Sequence, residues 1–270
     1  MSPETPPLPK PPLVPGPQSQ PGPQSQPGPQ PLLGPPCLLR MNGACRTFCR
    51  GGERIDAVVD ASIEVLAGEI VTIGGPSGSG KSTLLMMAAA MLTPTAGRVE
   101  LFGRDLGQLS LAEATRWRAG RLGLVLPLFD LVPYLSALDN VRLAADGPDA
   151  DDRAAEMLKR FGLAPRLRHV PSRLSAGEQR RLLVARGLVN EPEFILCDEP
   201  TANLDDENAD RIRQQLIRER SRGAALLVVT HEPGELFRAD RRRWMRAGHL
   251  LQQPPTKGDH DGYRPELLET

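Results

Sequence analysis

Apolar positions along this chain follow two rhythms. Residues 69–73, 194–197 and 225–229 are short, nearly unbroken apolar runs, the pattern of parallel strands buried on both faces, and 122–126 reads as a further strand. Segments 38–48 and 57–65 alternate and are joined at Gly51-Gly52, as an opening pair of strands would be, and 97–103 reads as another. Helical spacing covers 81–91, 136–145, 151–161 up to Gly162, 176–189 and 207–222. A further helix runs from the capping box of Ser110 and Glu113 to about Arg118, and Pro165 and Pro171 mark the break before 176. Near the end, 243–245 and 249–252 flank Gly248 like a closing hairpin, with Arg241-Arg242-Arg243 expected as a solvated edge. The pattern predicts an α/β fold with a mostly parallel core sheet, an antiparallel β part and an α-helical insertion over about 105–180.

Residues 1–36 break this pattern. They hold more than half of the 28 prolines, and Pro15-Gly16-Pro17-Gln18-Ser19-Gln20 repeats from Pro21. Such text cannot bury enough apolar surface to fold, so a disordered tail is expected over 1–36, a folded domain over 37–254 and a loose tail over 255–270. The Pro-rich tail is read as solvated, with a ligand for a grooved domain as the alternative.

Lys plus Arg and Asp plus Glu balance at 33 each, so the overall field favours neither nucleic acid nor an anionic membrane, and no nucleic-acid partner is expected. No apolar run approaches the roughly 20 residues that span a bilayer, and the start lacks a charged-then-apolar leader. A cytoplasmic location follows, with any membrane role reached through a separate partner. Four cysteines are too few for a disulfide scaffold. Cys37, Cys45 and Cys49 fit no common zinc spacing, and Cys197 sits in an apolar strand.

Chemistry concentrates after the strand at 69–73. Gly75-Pro76-Ser77-Gly78-Ser79-Gly80-Lys81-Ser82-Thr83 fits G-x-x-x-x-G-K-[ST] between a strand and a helix. Its glycines let backbone amides crowd phosphate oxygens, Lys81 meets the β and γ phosphates, and the Ser82 hydroxyl ligates Mg²⁺. The strand at 194–197 ends in two acids. Asp198 can reach the Mg²⁺ shell, commonly through water, and Glu199, pointing the other way, can polarise the water that attacks the γ phosphate. His231 follows the strand at 226–230 on the same sheet edge, where an imidazole can hydrogen-bond the γ phosphate and that carboxylate. Leu174-Ser175-Ala176-Gly177-Glu178-Gln179 opens a helix with Ser175 at the cap; an ordinary N-cap and a second anion-binding helix start both fit.

Together, the phosphate loop, the stretch from Leu174 to Gln179, Asp198-Glu199-Pro200-Thr201, Ala202-Asn203-Leu204-Asp205 and Thr230-His231 resemble the nucleotide-binding subunit of ABC transporters over roughly 38–253. Gly51-Gly52-Glu53-Arg54 and 131–141 look most like the lipoprotein-release, macrolide-export and FtsE-type group. The resemblance implies a P-loop ATPase fold of the ABC type and an ATP- and Mg²⁺-dependent ATPase that drives an integral-membrane permease. It also implies a head-to-tail homodimer holding each ATP between one phosphate loop and Ser175, Ala176, Gly177, Glu178 and Gln179 of the other copy. Phe48 is then expected to stack on adenine and Asp205 to bridge the dimer.

Two positions depart from the pattern. Ala176 replaces the usual Gly and keeps the backbone donor, whereas Pro127 replaces a Gln that touches Mg²⁺ and the attacking water. Pro127 therefore leaves open a nucleotide-gated signalling subunit with slow turnover. A DNA-repair or translation ATPase is the other rival, but this chain has neither a second cassette nor a long coiled coil.

Overall fold

The computed structural model describes residues 34–126, 131–231 and 238–253. The chain enters its body through Pro36, whose carbonyl accepts from the Ala67 amide at 2.9 Å. Strands β1 (Cys37–Arg50) and β2 (Glu53–Leu66) form an antiparallel pair that turns at Gly51 and Gly52, both at positive φ. β4 (Ala96–Leu101) joins the other side of β1, and the two-residue β5 (Arg104–Asp105) closes that edge.

The other half of the sheet is parallel. β3 (Ile70–Gly74), β6 (Leu122–Val125), β7 (Phe194–Asp198) and β8 (Ala225–Val229) lie in the order β3-β8-β7-β6. Every residue of β3, β7 and β8 is buried, and the side chains divide between two cores, Leu196 and Leu227 on one face, Ile195 and Leu226 on the other. β9 (Arg241–Arg246) runs parallel to β3, and β10 (His249–Leu251) folds back on β9 and meets β2 through His249 and Val59. Helices α1 (Lys81–Ala88), α2 (Leu111–Arg118), α3 (Ala137–Arg142), α4 (Ala150–Arg160), α5 (Ala176–Leu188) and α6 (Asp206–Ser221) connect the strands. The expected α/β class, with its parallel core and antiparallel part, is what forms.

Three expectations need correction. The segment Arg241-Arg242-Arg243 is no edge: β9 sits between β3 and β10. It can do so because the Arg241 guanidinium is paired with the Glu69 carboxylate and the Glu64 carbonyl. α1 stops at Ala88 rather than running to Met91; Ala90 turns to φ 54° and the amides of Met91 and Leu92 both bond the Met86 carbonyl. Within 105–180 lies β6, the strand expected at 122–126, hydrogen-bonded along β7, so the helical part of that stretch is split, with α2 before β6 and α3, α4 and the start of α5 after it. The expected tails fall almost wholly outside the described residues, and Pro127 does as well.

Parallel strands deliver their following loops to one edge of the sheet. The turns after β3, β7 and β8 therefore emerge side by side, and these carry the phosphate loop, Asp198-Glu199 and Thr230-His231.

Candidate active site

The loop after β3 needs its glycines for close backbone approach. Gly75 has φ 147°, and a Cβ there would lie 2.1 Å from the Met245 carbonyl oxygen. Gly80, at φ 102°, would bring a Cβ to 2.0 Å from the Ala57 oxygen. β9 and β2 thus press the loop from behind, and neither contact is announced by the motif. Gly78 faces the opposite way, with nothing within 4 Å of a Cβ, and Pro76, Ser77 and Gly78 form an exposed rim. Gly80 is the N-cap of α1 and supplies no side chain, so the first amides of α1 lack a side-chain cap. Thr83, half-buried, sits in that first turn.

Lys81 is buried, and its Nζ donates to the Gly75 and Pro76 oxygens at 2.7 Å each. Burial lowers its proton affinity, while the Glu199 and Asp198 carboxylates oppose that shift. The Ser79 hydroxyl is buried in the same loop without a hydrogen-bond partner. Uncapped amides, a buried ammonium held only by carbonyls and an unpartnered hydroxyl form a cradle suited to polyphosphate.

Ser82 Oγ donates to Asp198 Oδ2 at 2.7 Å, placing two hard oxygen ligands together across the first turn of α1 and the end of β7. That donor set suits Mg²⁺. Glu199 continues the ladder through its amide, which donates to the Val229 oxygen at 2.9 Å, but its own φ is 48°. Simple strand alternation therefore does not aim the side chain. A left-handed non-glycine residue of this kind costs of order 1 kcal/mol and clusters at functional sites. The turn brings Glu199 Oε1 within 2.5 Å of His231 Nε2, joining the acid and the imidazole that separate strands deliver.

The remaining expected residues occupy other elements. Phe48 lies near the end of β1, half-buried, with the Arg46 guanidinium 4.8 Å from its ring centroid. It pairs with Ile55, two residues before the Ala57 carbonyl that backs the loop. Ser175 and Ala176 are exposed at the start of α5, and Gly177 is buried. Ser175 Oγ accepts from the Glu178 amide at 3.2 Å, and the Glu178 carboxylate accepts from the Ser175 amide at 2.8 Å, completing a capping box. Glu178 also holds Arg166 at 2.9 Å; that hydrogen bond, with the capping one, keeps its carboxyl below the ordinary glutamate range. Gln179 turns inward, donating to the Pro171 and Leu174 oxygens. Of the five residues, Ser175 and Ala176 present the outward surface, while Glu178 and Gln179 brace it.

Asp205 caps α6, accepting from the Asn208 amide at 2.8 Å and from Asn208 Nδ2 at 2.6 Å. Asn208 is a neighbour the motif reading missed; the only signal for it was the Asx spacing of three residues at a helix start.

The ABC transporter family model matches residues 58–202. The lipoprotein-releasing system ATP-binding protein LolD of Novosphingobium aromaticivorans is 41% identical over 210 residues, covering 76% of this chain and 94% of that protein. LolD 1 of Rhodospirillum rubrum is 41% identical over 219 residues, covering 79% and 97%. Among solved structures, the ATP-binding cassette MJ0796, as a dimer in a post-hydrolysis state bound to ADP and Pi, superposes with a TM-score of 0.74 at 33% identity, covering 80% of this chain and 97% of that one. The phosphate cradle, the acids of β7 and these likenesses agree: the chain belongs to the ABC transporter family, as a subunit that binds and hydrolyses ATP.

Proposed function

We propose that this subunit is the motor of a lipoprotein-release-type system, working as a nucleotide-sandwich homodimer on a separate integral-membrane permease at the inner face of the cytoplasmic membrane. The observation that carries the reading is the convergence of Lys81, Ser82–Asp198 and Glu199–His231 on one sheet edge. When bound, Mg²⁺ would be held by Ser82 and Asp198 and would neutralise polyphosphate charge. No group of three His, Cys, Asp or Glu side chains among the described residues could hold a metal by itself. Glu199 orients and deprotonates the attacking water, and His231 Nε2 holds the Glu199 carboxylate in place. Phe48 supplies the adenine ledge. Ser175 and the amides of Ala176 and Gly177 bind the nucleotide of the other copy, and Asp205 meets that copy at the interface.

Among the described residues no helix is long and apolar enough to cross a bilayer. One observation supports a membrane partner. A cavity of about 810 Å³ opens between β6, α3 and α5, walled by Leu122, Leu124, Leu131 and Val132, with Tyr134 80% and Leu143 67% exposed at its mouth. Arg118, Asp146, Arg186 and Asn190 also line it, and an exposed, largely apolar groove with such a polar margin fits an amphipathic segment of a partner. The closest competing role, a nucleotide-gated subunit that turns over slowly, is favoured by Pro127 alone.

The test is size-exclusion chromatography with ATP. Glu199→Gln is expected to elute as an ATP-bound dimer and Lys81→Ala as a nucleotide-free monomer. A monomeric Glu199→Gln protein with normal turnover overturns the reading. Tyr134→Asp with Leu143→Asp is expected to lose the permease in detergent pull-down while keeping ATP binding.

A further inference from the structure

The start of α5 and the turn that carries Asp205 are separate in sequence, yet one side chain touches both. Arg181, one turn into α5, hydrogen-bonds Asn208 Oδ1. Asn208 Nδ2 in turn donates to Asp205 Oδ2. The same amide lies against Gly177, where a Cβ would stand only 2.7 Å from Asn208 Cγ and Nδ2. Gly177 thus makes room for Asn208 to reach both elements.

Each contact has a reason to persist. The Arg181 guanidinium is partly buried, which lowers its proton affinity, and nearby Arg211 lowers it further. Its Nε is buried without a hydrogen-bond partner, so the bond to Asn208 carries weight in satisfying this group. Asp205 is held below the ordinary aspartate range, first by the Asn208 amide and then by the Asn208 side chain. Asn has an acceptor and a donor on one planar group, so it can face a cation on one side and a carboxylate on the other; an ionised Asp offers no donor, Leu offers neither, and the shorter Ser joins both functions on a single atom.

We propose that Asn208 is a positioning residue that locks the start of α5 to Asp205, so that the two surfaces offered to the second copy approach it as one rigid piece. This rests on the dimer reading above. A loose Asp205 or a displaced Ser175 would have to be ordered during dimerisation, and that ordering would weaken association without altering how one subunit holds nucleotide in its own loop.

The experiment uses the full chain in a Glu199→Gln background, with dimer dissociation measured by light scattering in ATP. Asn208→Asp keeps an acceptor for Arg181 but sets a carboxylate against Asp205. It is expected to weaken the dimer about tenfold or more, while the ATP-free melting temperature and nucleotide affinity at monomeric concentration stay at the parent values. Asp205→Asn combined with Asn208→Asp reverses the donor and the acceptor, and is expected to return the dimer to the level of Asp205→Asn alone. Unchanged dimerisation in Asn208→Asp, or failure of the reversed pair to recover, overturns the positioning role while leaving the dimer intact as a reading. A parent that forms no dimer with ATP overturns both. Should Asn208→Asp fail to fold, Asn208→Ser, which removes the bridging amide, takes its place; its melting temperature is expected to fall somewhat as Arg181 loses its acceptor, and the dimer is compared with the parent under conditions where both are fully folded, with the same expected weakening.

Discussion

The starts of α1 and α5 are both glycine-containing helix N-termini, and they are finished in opposite ways. α1 begins at Gly80 with no side chain to cap it, a buried ammonium tied to backbone carbonyls and a buried hydroxyl without a partner. α5 begins at Ser175 with a closed capping box, and Arg166 and the Gln179 amide brace it. A helix start left unsatisfied reserves its amides for an anion, whereas a satisfied one is stable alone and offers a preformed surface. The first is a binding site that any single subunit possesses. On the dimer proposed above, the second becomes useful only when another copy brings nucleotide to it.

Substitutions around α1 should therefore cost function steeply. Removing the Glu199 carboxylate as Glu199→Gln is expected to cut turnover by about 10²- to 10⁴-fold with nucleotide affinity retained, measured by phosphate release beside equilibrium binding. Equal loss in both would place Glu199 in ground-state binding instead. Lys81→Ala comes next, with ATP affinity falling about 10- to 150-fold, the scale of one or two hydrogen bonds to a charged group. The ATP-free melting temperature should not fall, because an ammonium that burial already disfavours is removed. A clear drop would show that Lys81 is structural.

The two glycines of the loop sharpen the contrast further. Gly80→Ala drives a Cβ to 2.0 Å from the Ala57 carbonyl, while Gly78→Ala meets open space, though both positions have positive φ. Gly78→Ala is expected to cost about 1 to 2 kcal/mol from its left-handed backbone, and Gly80→Ala more, in urea unfolding. Equal costs would mean that β2 yields to the loop. On the α5 side, Ser175→Ala in the nucleotide-free subunit loses only a cap, about 1 kcal/mol and thus about 2–4 °C for a domain of this size. Binding of ATP to the subunit's own loop should be untouched.

The same contrast explains what could be read from residues alone. β3, β7 and β8 were legible because strands buried on both faces leave apolar text, and the phosphate loop because its chemistry tolerates few residue types. The end of α1 was not legible: Ala88, Ala89 and Ala90 all favour helix, and the turn at Ala90 comes from two amides converging on Met86. Arg241 reads as solvated, yet its partner Glu69 is 172 positions away, beyond any local pattern. Glu199 was found by position, but not its left-handed backbone, which accompanies the ladder bond to Val229 and the His231 contact. Asn208 went unseen because its role depends on Arg181 and Gly177 of another helix meeting it in space.

The smallest expected effect concerns Glu178, and it bears on whether α5 is truly finished without ligand. Its carboxyl is held below the ordinary glutamate range by the hydrogen bonds from Arg166 and the Ser175 amide, with burial opposing them. The unfolded chain therefore takes up this proton at higher pH than the folded one, and stability from Glu178 must rise with pH. It is fully present above about pH 4.3, the ordinary glutamate value, and is lost as pH falls through the lower folded value. Because Arg166 is 43% exposed, the ion pair itself is worth only about 0.2 to 1 kcal/mol, and salt will weaken it. Urea unfolding of the natural protein and of Glu178→Gln, from pH 7 down to the acid limit of reversibility, isolates the contribution. The difference between them should be constant from pH 7 to 5 and shrink below that, with Arg166→Gln showing a smaller version of the same loss. A difference that persists unchanged into acid would mean that the carboxylate charge does not hold this cap, and that α5, like α1, waits for its ligand to be completed.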